Sequence, residues 1–116
     1  NRCDATISDI GVFTKSSSGY PLVAHEAAKT VSEGNSRRGI LICGTGLGMS
    51  MVANRYRGIR AALCGDLYTA KMGRLHNDAN ILVMGARVIG PGVALGMVDV
   101  FLDTPFEGGR HQLRLE

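Results

Sequence analysis

The sequence predicts an α/β domain, a parallel sheet with helices on both faces, and three observations carry that expectation. Four apolar, β-rich runs alternate with four helix-like stretches, a pattern that gives parallel strands joined by right-handed crossovers. One of the runs, Gly39–Cys43 (Gly-Ile-Leu-Ile-Cys), is continuously apolar, as a strand covered on both faces must be. The 116 residues contain no internal repeat and no long linker, so residues 1–116 are expected to form one domain.

The elements follow in order. Ala5–Ile10 is a candidate strand ending at Gly11, and Ser16-Ser17-Ser18-Gly19 is a polar loop. Tyr20-Pro21 opens a helix through about Glu33, with proline in the first turn and Gly34 as its stop. Gly39–Cys43 leads into a helix from Gly46 to about Asn54. Ile59–Cys64 is a third strand and Leu67–Leu75 the next helix; Ile81–Met84 and Pro91–Leu102 complete the alternation. Ligands of such sheets bind beyond the carboxyl ends of the strands. That rule directs attention to Cys43–Gly48, Gly65–Tyr68 and Gly85–Arg87.

Composition removes several function classes. With 45% hydrophobic and 20% charged residues the balance is that of a folded globular chain. Apolar stretches are broken by Gly, Asn or Arg well short of the roughly 18 residues that a membrane span needs. Asn1-Arg2-Cys3-Asp4 lacks the apolar core of a signal peptide, so a cytoplasmic location without membrane partners is expected. The net charge of +3 gathers at Arg55, Arg57 and Arg60 and again at Arg110, His111 and Arg114. Aromatics at 5% and the lack of Trp argue against nucleic acid. A few convergent arginines suit a small anion better. Cys3, Cys43 and Cys64 are odd in number and far apart, which favours reduced thiols over a disulfide framework or a zinc site.

Chemistry concentrates in Ile42-Cys43-Gly44-Thr45-Gly46-Leu47-Gly48-Met49-Ser50. An apolar strand runs into three alternate glycines and then a helix, whose first N–H groups attract anions. A P-loop would need Gly-Lys-Ser/Thr, and no Lys is present. The dinucleotide fingerprint needs G-x-G-x-x-G, whereas this loop reads G-x-G-x-G. A cysteine phosphatase would want Arg where Met49 stands. What remains is Cys43 beside a helix terminus, where a thiolate is favoured, with Thr45 near enough to hydrogen-bond the sulfur. Its plain alternative is a core cysteine finishing a strand.

Further segments then fall into one order: Gly39-Ile-Leu-Ile-Cys-Gly-Thr-Gly, Gly58-Ile-Arg-Ala-Ala-Leu-Cys, His76-Asn-Asp-Ala-Asn, Gly85-Ala-Arg-Val-Ile-Gly and Phe106-Glu-Gly-Gly-Arg-His-Gln. From Tyr20 to Glu116 the chain resembles the B-type ribose-5-phosphate isomerases, whose relatives include allose- and galactose-6-phosphate isomerases. The resemblance implies a three-layer Rossmann-like fold and interconversion of ribose 5-phosphate and ribulose 5-phosphate through a cis-enediolate. It makes Cys43 the base, Thr45 the residue that orients its sulfur, and the backbone of Gly44, Gly46, Leu47 and Gly48 the seat of the enediolate oxygen. His76, helped by Asn77, would open the sugar ring. Arg87, Arg110, His111 and Arg114 would grip the phosphate, and Tyr20 is a possible substrate contact. No metal or cofactor is required, and a homodimer or homotetramer with shared sites is implied.

Two departures stand against that pattern. The family opens with a further strand and helix carrying a Ser-Asp-His segment, which has no counterpart here, and Gly19 replaces an Asp ahead of Tyr20-Pro21. Since the missing strand is central in that fold, its absence would leave unpaired sheet edges. The expectation is an N-terminally incomplete chain, weakly active and poorly stable alone. Isomerisation of allose or galactose 6-phosphate, and a non-catalytic module binding a sugar phosphate through the same loop, are the alternatives.

Overall fold

The computed structural model describes residues 20–115, with side chains from 22 to 112. The strand expected at Ala5–Ile10 and the loop before Tyr20 lie outside the described residues. Eight elements follow: α1 (Tyr20–Ser32), β1 (Gly39–Cys43), α2 (Leu47–Ala53), β2 (Ala61–Leu63), α3 (Leu67–Asn77), β3 (Ile81–Gly85), α4 (Pro91–Asp103) and α5 (Arg110–Leu115).

The three strands form a parallel sheet in the order β1-β3-β2. Gly39 through Cys43 pair with Ile81 through Gly85, and Ala61–Leu63 pair with Ile81–Val83 on the other side. All five residues of β3 are buried, which accounts for its unbroken apolar sequence. Because side chains alternate along a strand, Ile81 and Val83 join Leu41, the α1 alanines and Met49 and Ala53 of α2 in one core. Leu82 and Met84 join Ala70 of α3 and Met97 and Phe101 of α4 in the other. Helices therefore cover both faces, as the alternation predicts. Ile40 and Ile42, on the face of β1 opposite Leu41, stay 37% and 56% exposed.

Two elements differ from expectation. β2 begins at Ala61 rather than Ile59. Two side-chain amides take the backbone groups at its start: the Arg60 N–H donates to Asn80 Oδ1 (2.9 Å) and the Ala61 N–H to Asn54 Oδ1 (2.8 Å), while Asn54 Nδ2 donates back to the Ala61 carbonyl (3.0 Å). Second, α5 has no counterpart among the expected helices. Gly108 and Gly109 adopt positive φ (76° and 59°), turning the chain into a final helix that packs on α3.

Candidate active site

At the carboxyl end of the sheet, Cys43 closes β1 half-buried. The loop after it is clamped to the end of β3: Ala86 N–H donates to the Cys43 carbonyl (2.7 Å) and Arg87 N–H to that of Gly44 (3.0 Å). Both contacts depend on glycine. A Cβ on Gly85 would lie 2.6–2.9 Å from the Thr45 backbone. Gly46 has φ 85°, and a Cβ there would meet Leu63 Cδ1 at 2.6 Å and the Met84 backbone at 3.2 Å. Gly44 instead makes room for a side chain, since a Cβ on it would sit 3.5 Å from Arg87 Nε and 3.6 Å from its Cζ. Cys43, the loop and the Arg87 side chain thus lie together at one corner of the sheet.

α2 starts at Leu47 with Gly46 as its N-cap. The Thr45 hydroxyl oxygen accepts from the Leu47 N–H at 3.3 Å, which leaves its own proton available to another acceptor. The Gly48 N–H lies among the first-turn groups to which a helix gives no internal partner. One donor of the predicted oxyanion seat, Leu47 N–H, is therefore engaged by Thr45. The second cysteine at this end, Cys64, is buried, and burial pushes its thiol up despite a hydrogen bond from Thr69.

The remaining predicted residues lie elsewhere. α3 leaves β2 and returns to the start of β3, so its last turn sits at the amino end of the sheet. His76 and Asn77 end that helix, and Asn77 is exposed in an open groove with Asn54 and Arg60. Arg110, exposed, opens α5, and His111 beside it is 2% exposed. The His76 and His111 rings stack, with centroids 4.2 Å apart and planes 15° apart. Arg114 lies in α5 and Tyr20 opens α1, but both side chains are outside the described residues.

The predicted site residues thus form two groups. Cys43, Thr45, Gly44–Gly48 and Arg87 are at one end of the sheet; His76, Asn77, Arg110 and His111 are at the other. Between them run the five residues of β3, about 13 Å of strand.

One member of the second group escaped the sequence reading. Glu107 Oε1 lies 3.0 Å from His111 Nε2, and Glu107 N–H donates to the Leu75 carbonyl at 3.0 Å. Glu107 lies ahead of α5 and meets His111 only through the turn at Gly108 and Gly109, which helical spacing in the sequence does not signal. Donor atoms of His76, Glu107 and His111 lie within 4.8 Å of one another. An ion binds an imidazole in the ring plane, and two near-parallel stacked rings cannot both aim a lone pair at one point without turning. Among the described residues, no helix is long and apolar enough to cross a membrane.

Comparison with known proteins agrees with this architecture. The family model described as ribose/galactose isomerase matches residues 2–116. YwlF of Bacillus subtilis (strain 168) is 55% identical over 96 residues, covering 83% of this chain and 64% of its own length. Ribose-5-phosphate isomerase B of Escherichia coli (strain K12) is 44% identical over 110 residues, covering 95% and 74%. A crystal structure of a ribose 5-phosphate isomerase from Thermotoga maritima superposes with a TM-score of 0.90 at 50% identity, over 93% of this chain and 74% of that one. The present chain therefore spans a little under two thirds of YwlF and about three quarters of the other two. On the strength of a match along nearly its whole length, the chain belongs to the ribose/galactose isomerase family.

Proposed function

We propose that the chain is the catalytic part of an aldose–ketose isomerase that interconverts ribose 5-phosphate and ribulose 5-phosphate, with Cys43 as the base. The observation that carries this reading is the corner at the end of β1: a half-buried thiol, glycine-lined backbone and a guanidinium within one loop's reach. The Cys43 thiolate removes the C2 proton of the open-chain aldose, and the C–H electrons form the C1–C2 double bond as the carbonyl electrons move to O1. A proton passes from O2 to O1, the thiol returns its proton to C1, and the carbonyl re-forms at C2. Backbone donors of Gly44, Gly46 and Gly48 suit the developing oxyanion because they are already in place before charge develops. Thr45 is suited to donate its hydroxyl proton to the sulfur.

His76, with Asn77, opens the furanose ring by moving a proton between the ring oxygen and the anomeric hydroxyl. Arg87, Arg110 and Arg114 supply charge for the phosphate, and Tyr20 is a further substrate contact. A five-carbon sugar phosphate cannot bridge the length of the sheet, so the two groups of residues serve one substrate when the Cys43 end of one chain meets the His76 end of another. A homodimer or homotetramer follows from that requirement. The family's breadth favours one second reading, isomerisation of a six-carbon sugar phosphate by the same chemistry.

Solvent-deuterium incorporation followed by proton NMR tests the reading. Exchange at C1 of ribulose 5-phosphate and C2 of ribose 5-phosphate is expected, with complete loss in Cys43→Ala while phosphate-ligand affinity persists. Exchange that survives Cys43→Ala would remove Cys43 as the base. Exchange with allose or galactose 6-phosphate alone would favour the second reading.

A further inference from the structure

We propose that Glu107 is a positioning residue for ring opening: it holds His111, and through the stacked His111 ring it holds the imidazole of His76. This rests on the role given above to His76. The side chain nearest the sugar in that role, His76, is only half-buried and ends a helix, so its own element does little to fix the ring. Its orientation comes from a neighbour. His111 is 2% exposed and lies flat against His76 at 4.2 Å and 15°, which restricts rotation of the His76 ring about its Cβ–Cγ bond.

His111 is itself set by Glu107. An ionised carboxylate only accepts, so the 3.0 Å contact from Glu107 Oε1 puts the proton on His111 Nε2. The other nitrogen, Nδ1, is buried with no partner among the described residues. Rotating the ring by half a turn would put the Cε1 carbon in place of Nε2 and lose the carboxylate contact, so Glu107 selects one ring orientation out of two. Glu107 is in turn tied by its backbone N–H to the carbonyl of Leu75, the residue before His76. Glu107, His111 and His76 are thereby linked in sequence, with the first anchored beside the last. Near-parallel rings suit such a backing role and do not suit joint coordination of an ion.

The prediction separates from a general structural role because isomerisation has two parts. Ribulose 5-phosphate has its C5 oxygen esterified and cannot close a furanose ring, so deuterium exchange at its C1 reports proton transfer by Cys43 without ring chemistry. Net conversion to ribose 5-phosphate, which is released as the ring form, needs both. Three variants, Glu107→Ala, Glu107→Asp and Glu107→Gln, are compared in the same assays. Residues that orient a metal-bound imidazole change activity by about 10–100-fold, and a residue that orients an imidazole for ring opening is expected to act on the same scale. Glu107→Ala and the too-short Glu107→Asp are expected to lower net isomerisation by about that factor, with C1 exchange close to the parent's. Glu107→Gln, whose carbonyl oxygen reaches His111 Nε2 as the carboxylate does, restores most of the rate.

Unchanged isomerisation in Glu107→Ala overturns the proposal. So does a parallel fall in isomerisation and exchange in all three variants, which is what a loss of folded protein produces. A normal Asp variant with a crippled Gln variant also overturns it, since charge rather than reach would then matter. No exchange by the unaltered protein is a separate failure: it removes the enediolate reading and the role of His76 together.

Discussion

At the scale of single residues, the glycines around Cys43 are not equivalent, and the difference is measurable. Gly85 lets the Thr45 backbone pass within a distance that no Cβ tolerates. Gly85→Ala therefore forces a shift of backbone, costing about 1–3 kcal/mol, and turnover should fall further than stability because the displaced segment is the loop proposed to carry catalysis. Gly44→Ala meets only the flexible Arg87 side chain at ordinary contact distance, so its melting temperature should remain near the parent's. Equal destabilisation in the two variants, measured by thermal denaturation, would contradict this geometry. The cysteines divide in the same way. Cys64 is buried and its thiol is pushed up by burial, while Cys43 is half-buried at a loop. Iodoacetamide followed by peptide mapping is expected to modify Cys43 well before Cys64 at neutral pH. Cys43 was legible in the sequence because strand, glycines and helix lie within nine consecutive positions. Glu107 was not, since its partner is brought to it only once Gly108 and Gly109 turn the chain into α5.

At the scale of elements, the loop between α3 and β3 is held by one buried cation. Arg74, 4% exposed, donates to the carbonyls of Ala79 (2.7 Å) and Thr104 (2.9 Å) and to Asp78 Oδ1 (2.8 Å). Arg60 pairs with the same carboxylate at 3.1 Å but is 38% exposed. Removing Arg74 leaves two carbonyls without their donor and Asp78 with Arg60 alone, so Arg74→Ala should cost about 1–3 kcal/mol in urea denaturation. Arg60→Ala should cost about 1 kcal/mol or less. The start of α3 supplies a pH test. Asp66 caps it by accepting from the Thr69 N–H at 2.7 Å, and that hydrogen bond holds the carboxyl below the ordinary aspartate value of about 3.9. A depressed folded-state value means stability that is present above the unfolded value and lost as pH falls through the folded one. The melting-temperature gap between the protein and Asp66→Ala is thus expected at pH 7 and should close in strong acid; a gap independent of pH would refute the cap. The first helix was foreseen from its Pro and Gly signals, and α2 to α4 from their alternation with apolar strands. The true start of β2 was not, because Asn54 and Asn80 capture its first backbone groups from elsewhere in the sequence.

For the whole molecule, what matters is that a parallel sheet has two different ends. Periodicity and glycine spacing made the layers legible, but they say nothing about which end of the sheet each motif reaches. Cys43 and Arg87 follow strand ends; His76 ends a helix that has already returned across the sheet, and α5 packs beside it. On the roles proposed above, a single chain would hold half a site at each end, and a twofold pairing that brings unlike ends together would complete two sites per dimer. Mixed variants test this directly. Cys43→Ala and His76→Asn, each inactive alone, are unfolded together in equal amounts and refolded so that chains pair at random. Half of the dimers then carry both lesions, one on each chain. In each of these, one site receives Cys43 from one chain and His76 from the other, and its twin receives neither. Recovery of about a quarter of the parent activity is expected on that count. If Cys43 and His76 of one chain served the same substrate, every site in the mixture would keep one lesion, and mixing would restore nothing.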